Sequence, residues 1–169
     1  QITGRWTQPV QLPQGLKPTP TEQFIGSGHS SGIKVSNNTT LFPFYTGGKA
    51  YAFKYNISSD MWTRSNGVIG GEGQIAQLNT THLYFNIRNN NRNIEENLRF
   101  GSFSTDFGRT WSLSKQNSLM EPIGGCEGST IDSNETLLYS GVVEPTIRSH
   151  LVLKTSKDGH TWKYKTTLI

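Results

Sequence analysis

The sequence predicts an all-β protein of the β-propeller class, and two observations carry the prediction. The four tryptophans recur about every fifty residues, the length that a four-stranded propeller blade occupies; they are Trp6, Trp62, Trp111 and Trp162. Apolar residues alternate over short segments, and no segment shows a helical period. At this spacing the chain corresponds to about three and a half four-stranded antiparallel blades.

The octet at 104–111 predicts a stable turn at the tip of a hairpin. The Asp106 carboxylate can accept hydrogen bonds from backbone N–H groups of its own turn, and Gly108 can adopt the positive φ that closes it. The Thr110 hydroxyl can cap the turn. Trp111 would supply a small apolar core, so that the turn stands without help from its neighbours.

Two other segments resemble this turn. Residues 155–162 keep Gly, Thr and Trp in register with the octet, with Asp158 displaced by one place. Residues 58–62 are a degenerate copy of the same motif. If each repeat is one blade of a single domain at 1–169, the blade boundaries lie near the tryptophans. The predicted boundaries are Trp6, Trp62, Trp111 and Trp162.

Between these turns the chain is predicted to form one hairpin after another. Residues 1–21, punctuated by proline, are predicted to be a loop, and residues 115–122 a connection to the next blade. The predicted strands and strand starts are 32–35, 40–45, 50–55, 74–78, 82–89, 98–103, 124–129, 136–143 and 151–154.

Composition narrows the function classes. The net charge is +4, but the sequence has no Lys/Arg run of the kind that binds nucleic acid, so no nucleic-acid partner is expected. No apolar run is long enough to cross a membrane, and the N-terminus has no signal peptide, so Gln1 is not expected to be a native start. Neither a cofactor nor a metal site is predicted.

Cysteine and asparagine bear on the compartment. The single cysteine, Cys126, is expected to be a small buried residue or one half of a bridge to a part outside this sequence. Five asparagines begin N-x-Ser/Thr sequons, most of them at predicted turn tips, which favours the secretory route. They are Asn37, Asn38, Asn56, Asn79 and Asn134.

The hairpin at 74–89 carries the candidate chemistry. If its turn centres on Thr80, Gln74 faces Asn86 and Glu72 faces Arg88, and directly opposed residues point to one face of the sheet. A polar face in a blade is expected to look into the channel or its mouth. An ordinary ion pair on a solvated face is the alternative, and a slip of one residue would break the pairing.

Arg148 is the second candidate arginine. It is predicted at the start of a strand, after the irregular segment 144–148, at the end of its blade where a residue lining the mouth would lie. A solvated arginine at a strand start is the alternative.

Together these motifs resemble the sialidase family. The octets resemble its Asp boxes, segments 71–78 and 83–89 its glutamate and N-x-R strands, 124–129 its G-C-x-G-S blade opening, and 148–153 its later arginine strand. Their order and spacing are most similar to those of animal, lysosomal-type sialidases. The resemblance implies the middle portion of a six-bladed propeller.

The resemblance also implies an activity, the hydrolysis of terminal sialic acids with retention of configuration. Family members bind the sialic acid carboxylate with three arginines, of which Arg88 and Arg148 match two. Their nucleophile is a tyrosine, and Glu72 matches the glutamate that takes its proton. The tyrosine, the aspartate acid and the first arginine have no counterpart in this sequence, so these 169 residues are expected to be inactive by themselves.

Two functions stay open on the sequence. One is an exo-α-sialidase acting on sialylated glycans, completed by the rest of the propeller from the same or another chain. The other is a catalytically silent propeller that binds sialoglycans or has a structural role. In either case a lysosomal or extracellular location is expected.

Overall fold

The computed structural model describes residues 8–28, 31–90, 92 and 97–169. Within these ranges the chain consists of β-strands and one 3₁₀ turn, Gln14–Leu16, and no helix there is long and apolar enough to span a bilayer. The expected boundary at Trp6 lies outside the described residues.

The described strands form three antiparallel sheets, here called blades 1, 2 and 3. Blade 1 contains β1 (Ile33–Ser36), β2 (Thr39–Thr46), β3 (Lys49–Asn56) and β4 (Met61–Arg64), with the two-residue β5 (Val68–Ile69) paired to β3. Blade 2 contains β6 (Gly73–Gln77), β7 (Leu83–Ile87), β8 (Leu98–Ser104) and β9 (Lys115–Met120). Blade 3 contains β10 (Gly128–Ser133), β11 (Thr136–Val142), β12 (Leu151–Ser156) and β13 (Lys163–Thr167). The order is sequential in each blade, which confirms an all-β, partial β-propeller.

The fourth strand of each blade is the main difference from the sequence prediction. Lys115–Met120, predicted to be a connection, is strand β9, and the chain passes to blade 3 only after it. The tryptophans therefore mark the entry to each fourth strand, and the passage to the next sheet comes later. The pattern of β9 was hard to detect because it is mostly polar, with only Asn117 and Leu119 buried.

The turn at 104–111 has the predicted hydrogen bonds. Thr110 donates its backbone N–H and its hydroxyl to the Asp106 carboxylate at 2.8 and 2.6 Å. In blade 3 the Asp158 carboxylate accepts from the Thr161 N–H at 2.7 Å. Asp158 keeps the spacing to its preceding serine, Ser156, that Asp106 has, and the turn after it is one residue shorter. The displacement in the sequence is therefore the loss of one residue between the aspartate and the glycine.

The segments at 104–111 and 155–162 are here called the tryptophan turns. The sequence predicts that such a turn is stable without its neighbours, but in the structure both turns pack against another blade. Trp111 packs in a cluster that includes Leu41 of blade 1 and Phe85 of blade 2. Gly108 has φ +74°, and a Cβ there would lie 2.4 Å from the Leu41 side chain, so the turn needs glycine to approach blade 1. Trp162 occupies the same position between blades 2 and 3. The tryptophans are therefore part of the packing between blades.

The polar face of the β6–β7 hairpin also packs between blades. The Gln74 side-chain oxygen accepts from the Thr130 N–H at 2.8 Å, and the Asn86 amide donates to the Thr130 hydroxyl at 2.7 Å. Both side chains are buried against blade 3, so the expectation that this face looks into the channel is wrong. Propeller sheets pack face to face, which covers both faces of an inner blade and leaves strand ends for the mouth.

Each blade has two distinct ends. The upper end contains the starts of β1, β6 and β10, and the lower end contains the first hairpin turn of each blade and the tryptophan turns. The sequon asparagines all lie at the lower end: Asn37 and Asn38 after β1, Asn56 at the end of β3, Asn79 after β6 and Asn134 after β10. Glu72 and Arg88 lie at the upper end.

Candidate active site

Glu72 and Arg88 flank the β6–β7 hairpin in the predicted register. Gln74 faces Asn86 and Ala76 faces Tyr84, so no slip has occurred. The Arg88 Nη1 donates to the Glu72 Oε2 at 2.7 Å, and the two side chains are only 20% and 14% exposed. The pair is therefore on one face as predicted, and it is largely enclosed rather than solvated.

The turn at 122–125 leads into blade 3 and is here called the glycine loop. It covers the Arg88 guanidinium. Arg88 Nη2 donates to the carbonyl oxygens of Gly124 at 2.9 Å and Gly125 at 3.4 Å. Gly125 has φ +74°, and a Cβ there would lie 2.7 Å from the Arg88 Nε and 2.5 Å from the Asn89 carbonyl oxygen. Glycine is required here by both the backbone angle and the close approach.

Arg148 reaches the same loop. It is exposed and lies in the bend before β12, three positions ahead of Leu151 and not at the strand start itself. Its Nη2 donates to the Gly125 oxygen at 3.5 Å, so the guanidinium groups of Arg88 and Arg148 converge on one carbonyl. The two arginines that the resemblance assigns to one carboxylate thus lie side by side, and their role stays a prediction.

Tyr45, at the end of β2, is the site residue that sequence reasoning missed. Its phenol stands beside the Glu72 carboxylate, and burial together with that carboxylate raises the pKa of Tyr45 above its ordinary value. Only its position in the predicted hairpins could have indicated Tyr45, because β2 ends at the upper end of blade 1, the end at which Glu72 lies in blade 2. The Glu72 carboxylate is thus bonded to Arg88 and has the Tyr45 phenol as a neighbour from blade 1.

The glycine-rich segment before β1 shapes the wall beside Tyr45. Gly26 and Tyr45 exchange two backbone hydrogen bonds of 3.0 and 2.8 Å, and a Cβ at Gly28 would lie 3.3 Å from the Glu72 Cγ. Phe24 is 58% exposed and contacts the Tyr45 ring edge-on, with centroids 5.7 Å apart. The site therefore has charged side chains from blades 2 and 3 and an aromatic wall, formed by Phe24 and Tyr45, beside blade 1.

The site combines two guanidinium groups, those of Arg88 and Arg148, with the carboxylate of Glu72. Two adjacent guanidinium groups repel each other, and Glu72 offsets part of that charge. The described residues contain no group of three or more His, Cys, Asp or Glu side chains placed to hold a metal ion. Cys126, beside the glycine loop, is free and half-buried. The arrangement is suited to an anionic ligand with a planar carboxylate.

Solved structures with the same fold are sialidases and related enzymes. A Hadza microbial sialidase has 25% identity and a TM-score of 0.72, covering 89% of this chain and 32% of its own. The Ruminococcus gnavus intramolecular trans-sialidase, solved with oseltamivir carboxylate, has 18% identity and a TM-score of 0.75, with 94% and 37% covered. The leech intramolecular trans-sialidase, solved with 2,7-anhydro-Neu5Ac, has 18% identity and a TM-score of 0.71, with 89% and 25% covered.

The fold and these likenesses define a sialidase-like β-propeller. The chain belongs to the BNR repeat-like domain family, whose model matches residues 3–169. It spans between 25% and 37% of the length of the three solved proteins. No curated protein matches it.

Proposed function

We propose that this chain is part of an exo-α-sialidase that hydrolyses terminal sialic acids with retention of configuration. The observation that carries the proposal is the convergence of Arg88 and Arg148 on the Gly125 carbonyl, directly beside Glu72. Animal, lysosomal-type sialidases remain the group that the sequence motifs resemble most.

The arginines would bind the carboxylate of the sialic acid. A guanidinium presents donors in a planar fork that matches a carboxylate, and each such charge-assisted bond is stronger than a neutral one. Arg88 is oriented by Glu72 and the glycine loop, while the exposed Arg148 approaches from blade 3. A carboxylate between them would compensate the repulsion of the two cations.

Glu72 would act as the base for a tyrosine nucleophile supplied from outside these 169 residues. The phenolic oxygen attacks the anomeric carbon, its proton passes to Glu72, and an acid protonates the departing glycosidic oxygen. Water then cleaves the tyrosyl intermediate, which restores the original configuration. We assign Tyr45, at the end of β2, the role of a neighbour that helps to hold Glu72 in place.

Turnover of a fluorogenic sialoside by the complete protein tests the proposal. We expect turnover, with the α-anomer of sialic acid as the first product in a time-resolved NMR spectrum. The 169-residue chain by itself is expected to be inactive, because the nucleophile, the acid and the first arginine are not in it. Absence of turnover by the folded complete protein would refute the enzyme proposal.

The second candidate function is a silent module that binds sialylated glycans. The specific observation in its favour is that Arg88 and Arg148 converge, while none of these 169 residues corresponds to the tyrosine, the acid or the first arginine of the family. The same arginines would then bind a sialic acid without cleaving it. Binding of sialyllactose to the complete protein without its turnover distinguishes this function from the first.

We further propose that other blades, from the same or another chain, cover the outer faces of blades 1 and 3. Support comes from apolar side chains that remain exposed in the terminal blades, among them Met61 at 58%, Ile131 at 54% and Tyr164 at 61%. Blades stacked on both sides would bury such residues, as the face of blade 2 is buried here.

A secretory route, to the lysosome or the cell exterior, is also proposed. Its support is the placement of all five sequon asparagines at the lower end, where attached glycans would leave Glu72 and the arginines accessible. Expression in a secretory eukaryotic host tests it. We expect an electrophoretic shift on treatment with a peptide N-glycosidase, and no shift would contradict the proposal.

A further inference from the structure

A fully buried ion pair lies directly under the arginine cluster. Arg99 of β8 and Glu121, the residue after β9, are 0% and 1% exposed, and Arg99 Nη1 donates to Glu121 Oε1. Burial disfavours the charged form of Arg99, but the Glu121 carboxylate more than offsets this and the pKa of Arg99 lies above its ordinary value. No step of the proposed reaction uses this pair.

The buried pair is bonded to the backbone on both sides of the site. Glu121 Oε2 accepts from the Asn89 N–H at 2.7 Å, and Asn89 directly follows Arg88. Arg99 Nη1 donates to the Cys126 carbonyl oxygen at 2.9 Å, and Cys126 directly follows Gly125. One pair of side chains therefore connects the segment that carries Arg88 to the glycine loop that lies against it.

The same loop is connected to the segment that carries Arg148. The Ile123 N–H donates to the Pro145 carbonyl oxygen at 3.0 Å, and Arg148 donates to Gly125. A displacement of the loop at 121–127 would consequently change the separation of the two guanidinium groups. The buried pair restrains the loop at its two ends, Glu121 and Cys126.

Stability alone does not account for a charged pair at this depth. Desolvating two charges is costly, and apolar residues of similar volume in place of a buried ion pair are often neutral or stabilising. What apolar residues cannot supply is directed hydrogen bonding to the backbone at Asn89 and Cys126. The contacts thus point to positioning as the role of the pair.

We infer that Arg99 and Glu121 are positioning residues that set the distance between Arg88 and Arg148, and with it the affinity for the substrate carboxylate. This inference rests on the proposed function, because it assigns both arginines to one carboxylate. Neither residue touches substrate. Both act through the backbone that carries the site.

The test is the double variant Arg99→Met/Glu121→Leu in the complete protein. It is chosen because paired apolar replacement keeps a core filled, whereas Glu121→Ala would leave an unpaired buried cation. We expect KM for a fluorogenic sialoside to rise roughly tenfold to a hundredfold, as small misplacements of positioning groups do, with a much smaller change in kcat. An unchanged KM would overturn the inference.

A matched control separates positioning from stability. Asn117→Ala removes a buried side chain of β9 that donates to the Tyr84 hydroxyl at 3.0 Å, away from the glycine loop. We expect it to lower Tm while KM stays at the wild-type value. If Asn117→Ala raised KM as much as the double variant, a general loss of stability would explain both, and the inference would be wrong.

Hydrogen exchange gives a readout that does not need activity. In the double variant, amides at 88–90 and 123–127 are expected to exchange faster, while those of β3 keep their protection. Equal exchange at both segments in the two proteins would overturn the inference even if the wild type turned over sialosides. Faster exchange in a protein without turnover would refute the proposed function and leave the anchoring role of the pair supported.

Discussion

Arg88 donates to the Glu72 carboxylate across its own hairpin, and Tyr45 from blade 1 contacts the same site. The first contact belongs to a hairpin whose register the turn determines. The second depends on how blade 1 packs against blade 2. Because Arg88 fixes the Glu72 carboxylate, the base is oriented before substrate arrives, as catalysis by positioned groups requires.

Replacing Glu72 by glutamine should slow sialoside turnover by the complete protein by ~10²–10⁴-fold, because an amide cannot take a phenolic proton. The substitution keeps the size and an acceptor oxygen, so the fold should persist. Steady-state kinetics of the purified variant provide the measurement. Glu135→Gln, at the lower end of blade 3, is the control and should keep wild-type rates. Equal rates for Glu72→Gln and wild type would remove Glu72 from the mechanism.

Arg88→Lys and Arg148→Lys should each raise KM by roughly tenfold or more, since a charge-assisted hydrogen bond is worth about 1.5–3 kcal/mol. Lysine keeps the charge but cannot present the planar fork. KM values for a sialoside, measured beside the Arg109→Lys control in the exposed tryptophan turn, check this. A KM unaffected by both changes would mean that neither arginine binds the carboxylate.

Asn66→Ala should lower the free energy of unfolding by about 1–3 kcal/mol, because two hydrogen bonds between blades are lost. The Asn66 side chain donates to the Trp111 carbonyl oxygen at 2.9 Å and accepts from the Trp111 N–H at 2.8 Å. Urea denaturation measures the difference. The exposed turn residue Asn38 is the control, and Asn38→Ala should stay within about 0.5 kcal/mol of wild type. Similar midpoints for both variants would show that this connection contributes little.

The tryptophan turn of blade 3 should make stability depend on pH in the acid range. Burial alone would raise the pKa of Asp158, but N–H donors from Thr161 and His160 outweigh it and lower the pKa from 3.8 to about 2. Since the folded-state pKa is the lower one, the stabilisation is complete above 3.8 and is lost as the pH falls towards about 2.

Asp158→Asn isolates the charge, because the amide keeps one acceptor oxygen. We expect the stability difference between wild type and this variant to be largest near neutral pH and to shrink below pH 3.8. Denaturation at a series of pH values measures it, with Asp132→Asn at an exposed position of β10 for comparison. A difference that did not change with pH would contradict the assigned cause.

Much of each blade could be predicted from short stretches of sequence. The alternation at 74–89 and the turn at Thr80 placed Glu72 opposite Arg88, and the Asp106 turn forms the hydrogen bonds that its residue types indicate. In both cases the partners lie within one hairpin or one turn. Strand β9 was missed because its mostly polar residues carry little of the alternation that identifies a strand.

The sequence by itself determined the succession of hairpins, the register of the β6–β7 hairpin and the placement of Glu72 and Arg88 at its open end, because these depend on turn geometry and on the alternation of side chains over about ten residues. Only the tertiary structure decided that Tyr45 reaches Glu72, that Arg148 meets Arg88 at Gly125, and that Gln74 and Asn86 face a neighbouring blade. Those contacts join residues from different sheets. They depend on the stagger and angle between blades, which the packing of Trp111 and Trp162 sets and no local pattern encodes.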